Sequence, residues 1–105
     1  MHIQVNTDNH IEGREALVAR VEAAVASSLD RFSERITRLE VHLSDENGGK
    51  KGQNDKRCLI EARIEGRQPT AVTCQAGTLE QAVAGATDKL KHSLESTLER
   101  QDRHR

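Results

Sequence analysis

Residues 36–65 read ITRLEVHLSDENGGKKGQNDKRCLIEARIE, and the relation between the two ends of this stretch decides the fold. Before the glycines, Leu39, Val41 and Leu43 alternate with Arg38, Glu40 and His42. After them, Cys58, Ile60, Ala62 and Ile64 alternate with Leu59, Glu61, Arg63 and Glu65. A period of two sends successive side chains to opposite faces of a sheet, so strands are predicted over 36–44 and 57–65, each with one apolar face. Residues 45–56 between them are predicted to form a flexible loop. Its glycines and lysines suggest a phosphate cradle, but a Walker A loop needs four residues between its first glycine and a Gly-Lys-Ser/Thr unit, and a helix after it. Gly48-Gly49-Lys50-Lys51-Gly52 has a different spacing, and a strand follows. An EF-hand fails as well, because Gly49 stands at the fifth ligand position and no glutamate closes the loop. The stretch reads as a hairpin.

Upstream, His2–Asn6 alternates, with Ile3 and Val5 on one side, which predicts a short strand. From about Glu12 to Phe32, the apolar residues Leu17, Val21, Val25, Leu29 and Phe32 recur at helical spacing. Alanines at 16, 19, 23, 24 and 26 raise helix propensity there. Downstream, Gly66-Arg67-Gln68-Pro69 is a tight connection and Thr70–Ala76 a fourth, weaker strand. Thr78 and Gln81 fit a capping box, and Leu79, Val83, Ala86, Leu90, Leu94 and Leu98 draw one stripe along a last helix. A short polar tail, 101–105, follows. The expectation is a single α+β domain over 1–105 with element order β-α-β-β-β-α. One-sided strands imply a four-stranded, mainly antiparallel sheet with both helices on one face and the other face wet.

Composition narrows the function. The chain has 105 residues, 34% hydrophobic and 31% charged, which suits one domain with a continuous but small core. No apolar run approaches the roughly 20 residues a membrane span needs, and MHIQVNTDN lacks the basic start and apolar stretch of a secretory signal. A soluble cytoplasmic protein with no membrane partner is expected. With 16 basic and 17 acidic side chains and a net charge of -1, bulk charge cannot coat nucleic acid. Any such role rests on how charges are segregated. Phe32 is the sole aromatic residue, which excludes a base-stacking platform. Cys58 and Cys74, with no C-x-x-C, read as small apolar residues in a reduced interior; a cross-strand disulfide or a redox sensor is the alternative. Histidines 2, 10, 42, 92 and 104 form no H-x-x-x-H pair or Cys/His cluster. No metal, cofactor, small-molecule substrate or catalytic residue is assigned, and an enzyme is the least favoured class.

Charge placement on the helices is more informative. At 100° per residue, Lys89, His92, Ser96, Arg100 and Arg103 share one flank of the last helix. Glu80, Asp88, Glu95, Glu99 and Asp102 share the opposite flank, joined by Lys91. In the first helix Arg20, Ser27 and Arg31 align beside the apolar stripe. Solvated helices usually mix signs to gain i,i+4 pairs; partial separation suggests a basic edge or groove for RNA phosphates, against a bland reading as solvated faces. The candidate RNA-binding residues are Arg20, Arg31, Lys89, Lys91, His92 and Arg100, with Lys50 and Lys51 as peripheral contacts.

Three stretches carry a family likeness: His10-Ile11-Glu12, the strand RITRLEVHL from Arg35 to Leu43, and Ala82-Val83 through Asp88-Lys89-Leu90, with SDENG and DKRC-IEAR between them. In order and spacing, over nearly the whole chain, the sequence resembles the hibernation-promoting factor/RaiA family of ribosome-associated proteins. The resemblance implies a fold similar to double-stranded-RNA-binding domains. It also implies binding to small-subunit ribosomal RNA in the decoding region, silencing or preserving idle ribosomes, through basic residues along the helices. Lys89 matches the family's pattern well, and Lys91, His92 and Arg31 also fit it. The chain departs from it at Ala23, Ala24, Ala26, Ser27 and Ser28, where members often carry lysines, and at Glu95, Ser96 and Thr97. The short form is implied, without the C-terminal dimerisation domain of the long forms, and a monomer is expected. The alternative within the same fold is a protein-interaction module using the open sheet or the acidic helix flank; a small redox regulator comes third.

Overall fold

The hairpin forms as its alternation requires. In the structure, a computed structural model that describes residues 1–8, 13–46 and 55–103, with side chains of the last helix followed to Leu98, β2 (Ile36–Asp45) pairs antiparallel with β3 (Lys56–Ile64). The pairing reaches Asp45–Lys56, and the Glu46 N–H donates to the Asp55 carbonyl at 2.8 Å. The ladder therefore takes in both ends of the predicted 45–56 loop, while its interior, with Lys50 and Lys51, lies outside the described residues. Near the start of β2, both Ile36 and Leu39 are buried, which strict alternation forbids. A bulge between Ile36 and Arg38 supplies the extra residue that restores the inward phase. Thr37 Oγ1 there donates to the Arg63 carbonyl at 3.1 Å.

β1 (His2–Thr7) lies parallel to β2, and β4 (Thr70–Ala76) antiparallel to β3, so the order across the sheet is β1-β2-β3-β4. The parallel pair follows from the chain: a helix separates β1 from β2, and a crossover of that length returns a strand in the same direction. The helix differs from its predicted extent. α1 runs Arg14–Ser28, entered through Gly13 at φ 65, and Asp30–Phe32 is a separate 3-10 turn. Leu29, at φ -105, breaks the helix so that Leu29 and Phe32 both reach the core. Glu12 lies outside the described residues.

α2 (Leu79–Arg103) begins as the capping pattern predicts: Thr78 Oγ1 accepts the Gln81 N–H at 3.1 Å. Leu17, Val21 and Val25 of α1, with Ala82, Val83, Ala86, Leu90 and Leu94 of α2, join Leu39, Val41, Leu43, Ile60 and Ala62 in one buried cluster. The two helices thus cover one face of a mixed, mainly antiparallel sheet. Arg38, Glu40 and His42 stay on the other face, as predicted; Arg38 reaches Gln4 at 2.6 Å and Glu40 at 3.0 Å.

Candidate nucleic-acid interface

The stripe that buries α1 also fixes where its cations stand. Arg20 is beside buried Val21, and Arg31 beside buried Phe32, so each is carried at the margin of the core. Between α1 and α2 an open cleft of about 320 Å³ has an apolar floor including Leu17, Val21, Val83 and Ala84. Arg20 and Ser28 line it from α1, and Glu80 and Asp88 from α2. Arg20 Nη2 lies 3.9 Å from Glu80 Oε1, both well exposed. Arg31 pairs with Glu95 and holds its guanidinium 4.6 Å above the Phe32 ring. The acidic flank of α2 therefore faces α1 and its arginines.

On the opposite flank of α2, Lys89 turns toward β4. Lys89 Nζ donates to the Thr73 carbonyl at 2.8 Å, on the strand that ends the sheet. His92 Nδ1 donates to the Asp88 carbonyl one turn back, at 2.9 Å, which leaves Nε2 for a partner. Lys91 shares the acidic flank, is half-buried, and has no ion-pair partner among the described residues. Of the predicted set, then, the structure sets Arg20 on the cleft, pairs Arg31 with Glu95 of α2, ties Lys89 to β4 and leaves His92 exposed against its own helix backbone. They do not line one groove. The side chain of Arg100 lies outside the described residues, as do Lys50 and Lys51.

Two further clusters were not nominated from sequence. On the open sheet face, Arg57 stands 4.0 Å from Glu46 and Arg63 3.8 Å from Glu61, beside the Arg38–Glu40–His42 group. The period-two pattern already places these residues outward, but it cannot say which charges meet. At the loop end of the hairpin, Asp45 and Asp55 are buried, and Lys56 Nζ bridges them at 3.3 and 3.0 Å. Asp8 Oδ2 accepts the Asp45 N–H at 3.0 Å, tying β1 to the same corner. Strand pairing brings these groups together; in sequence Asp8 gives no sign of it. Among the described residues no group of three or more His, Cys, Asp or Glu is placed to hold a metal ion. No described helix is long and apolar enough to cross a membrane.

The arrangement has known counterparts. The N-terminal domain of Protein Y from Thermus thermophilus superposes with a TM-score of 0.72 at 26% identity, over 92% of this chain and 99% of that one. A ribosomal subunit interface protein from Coxiella burnetii shares the fold at 13% identity and a TM-score of 0.66, over 92% of this chain and 97% of that one. No curated protein matches the chain. The profile described as sigma 54 modulation protein / S30EA ribosomal protein matches residues 3–102. With nearly the whole chain matched and the β-α-β-β-β-α sheet in place, the protein belongs to the sigma 54 modulation / S30EA ribosomal protein family, that of the ribosomal subunit interface and hibernation-promoting factors.

Proposed function

We propose that the protein is a non-enzymatic, cytoplasmic factor that binds small-subunit ribosomal RNA near the decoding region and keeps idle ribosomes silent or intact. The family match over residues 3–102 carries this reading. The local chemistry supports it. Lys91 has no ion-pair partner among the described residues, His92 has a free ring nitrogen, and Lys89 is held by a neutral carbonyl. Lys89 and Lys91 can each take an RNA phosphate without first losing an anion, and His92 can do so through Nε2 when that nitrogen also carries a proton. Arg20 and Arg31 are paired, but exposed ion pairs contribute only about 0–1 kcal/mol. A phosphate, to which arginine binds through two parallel N–H groups, can displace Glu80 or Glu95. Arg100, Lys50 and Lys51 complete the proposed contacts.

The test is sedimentation with ribosomes across a salt series. Binding through phosphates weakens as salt rises, in proportion to the phosphates neutralised. Co-sedimentation that falls with salt and falls again in Lys89→Glu and Arg31→Glu supports the reading. Absence of co-sedimentation at low salt overturns it. One observation favours a second reading, a protein-interaction module: the cleft has an apolar floor and walls of opposite charge. Salt-resistant co-sedimentation, unchanged by both charge reversals, selects that reading instead.

A further inference from the structure

Cys58 and Cys74 are sixteen residues apart in sequence and directly opposite each other in the β3/β4 register. Both belong to the inward-facing set of their strands; Cys58 is fully buried and Cys74 half-buried. Directly opposed residues of an antiparallel pair have Cα atoms about 4.5 or about 5.5 Å apart, and a disulfide accepts Cα separations of about 4.4–6.8 Å. Either pairing type lies inside that window. Both thiols are free in the structure.

We infer that Cys58 and Cys74 form a reversible disulfide site, entered at Cys74 by an oxidised low-molecular-weight thiol such as glutathione disulfide and closed by Cys58. The asymmetry of the pair sets the order. Burial, with the neighbouring Cys74 adding to it, pushes the Cys58 thiol up to about 12, so Cys58 is protonated and shielded when the reagent arrives. Cys74 is the less buried of the two residues. In the first step Cys74 attacks glutathione disulfide, forming Cys74–S–S–glutathione and releasing one glutathione thiol. In the second, Cys58 sulfur attacks the Cys74 sulfur. The Cys58–Cys74 bond forms, the bond to glutathione breaks, and the Cys58 proton leaves with the second glutathione. The two cysteines are oxidised and glutathione disulfide is reduced to two thiols. Thiolate availability limits the second step, while the register holds the attacking sulfur beside its target. In a reducing compartment the dithiol is the resting form.

The site also has a readout in the fold. Cys74 Sγ fills a notch over Gly85 of α2, where a Cβ would come within 2.4 Å. One turn further along α2, Lys89 holds the carbonyl of Thr73, the neighbour of Cys74. Oxidation at Cys74 therefore acts where α2 is fastened to the sheet edge. The inference goes beyond the ribosome reading, and its test needs no ribosomes. The native chain is incubated with glutathione disulfide, quenched in acid, and read by intact mass and peptide mapping. A transient glutathione adduct on Cys74 is expected, then loss of both free thiols, a mass lower by two hydrogen atoms and one peptide joining Cys58 to Cys74. In Cys58→Ala the reaction stops at the adduct on Cys74, and Cys74→Ala stays unmodified while folded. Wild-type protein that remains reduced, stops at the mixed disulfide, or is first modified at Cys58 overturns the proposal, whether or not either variant folds.

Discussion

At the level of single residues, Lys56 and Gly85 show how much one contact decides. Lys56 is the cation between Asp45 and Asp55, which are 7% and 5% exposed. A buried carboxylate that loses its cation is costly, so Lys56→Met is expected to lower the thermal midpoint by several degrees, measured by circular dichroism. The hydrogen bond to Asp55 raises the Lys56 pKa above its ordinary 10.5, with Asp45 adding and burial opposing. For a raised folded value, the stabilisation is complete below the unfolded value of about 10.4 and is lost as pH climbs through the folded one. The wild-type advantage over Lys56→Met is thus expected to be flat through neutral pH and to shrink in alkali. Gly85 is a balance of two terms. Alanine there regains up to about 1 kcal/mol of helix propensity but drives a Cβ into Cys74 Sγ, an overpacking that costs about 1–3 kcal/mol. Gly85→Ala is expected to destabilise the native chain and to become neutral or stabilising in a Cys74→Ala background. A double-mutant cycle in urea measures the difference.

At the level of elements, the helices are anchored by their ends as well as their stripes. Thr78→Ala removes the acceptor for the Gln81 N–H, and loss of such a cap costs about 1 kcal/mol, visible as a lower urea midpoint with an unchanged slope. The inter-helix pairs are different in kind. Glu80 and Glu95 are exposed partners of Arg20 and Arg31. Neutralising Glu95 as Glu95→Gln is therefore expected to shift stability by less than about 0.5 kcal/mol. If Arg31 meets phosphate, the same change tightens ribosome binding, because it removes a competitor and a repulsive charge. Sedimentation of Glu95→Gln beside wild type at one salt concentration checks this. The alternations and the capping pattern were readable element by element. The break of α1 at Leu29 was not, because Leu29 and Phe32 continue the helical spacing and only packing against the sheet shows that the last turn tightens.

For the whole molecule, one core holds both helices to four strands. Leu39 is fully buried at the inward face of β2, among residues from both helices. Leu39→Ala is expected to cost about 2–5 kcal/mol, a large share of the roughly 5–15 kcal/mol that holds a domain folded. Thermal unfolding should remain a single transition at a much lower midpoint. The near-zero net charge belongs to this scale too: with 16 cations against 17 anions, net charge supplies no attraction for RNA, so the proposed binding would depend on local placement.

Hydrophobic period determined the four strands and the two long helices, their order and which face of each is buried, since alternation and helical spacing are local properties of the chain; the 3-10 turn at Asp30–Phe32 lay beyond it. The identity of the outward residues on β2 and β3 follows from the same rule. Tertiary structure decided everything that depends on which elements lie side by side. It turned Lys89 toward β4 and set Glu80 and Glu95 of α2 against Arg20 and Arg31 of the chain before β2. It also set Cys58 opposite Cys74 and gathered Asp8, Asp45, Asp55 and Lys56 at one corner. The reason is physical: the rotation of a helix about its axis follows from its own stripe, but which neighbour each flank meets depends on the order of strands beneath, and that order is fixed by contacts between residues far apart in sequence.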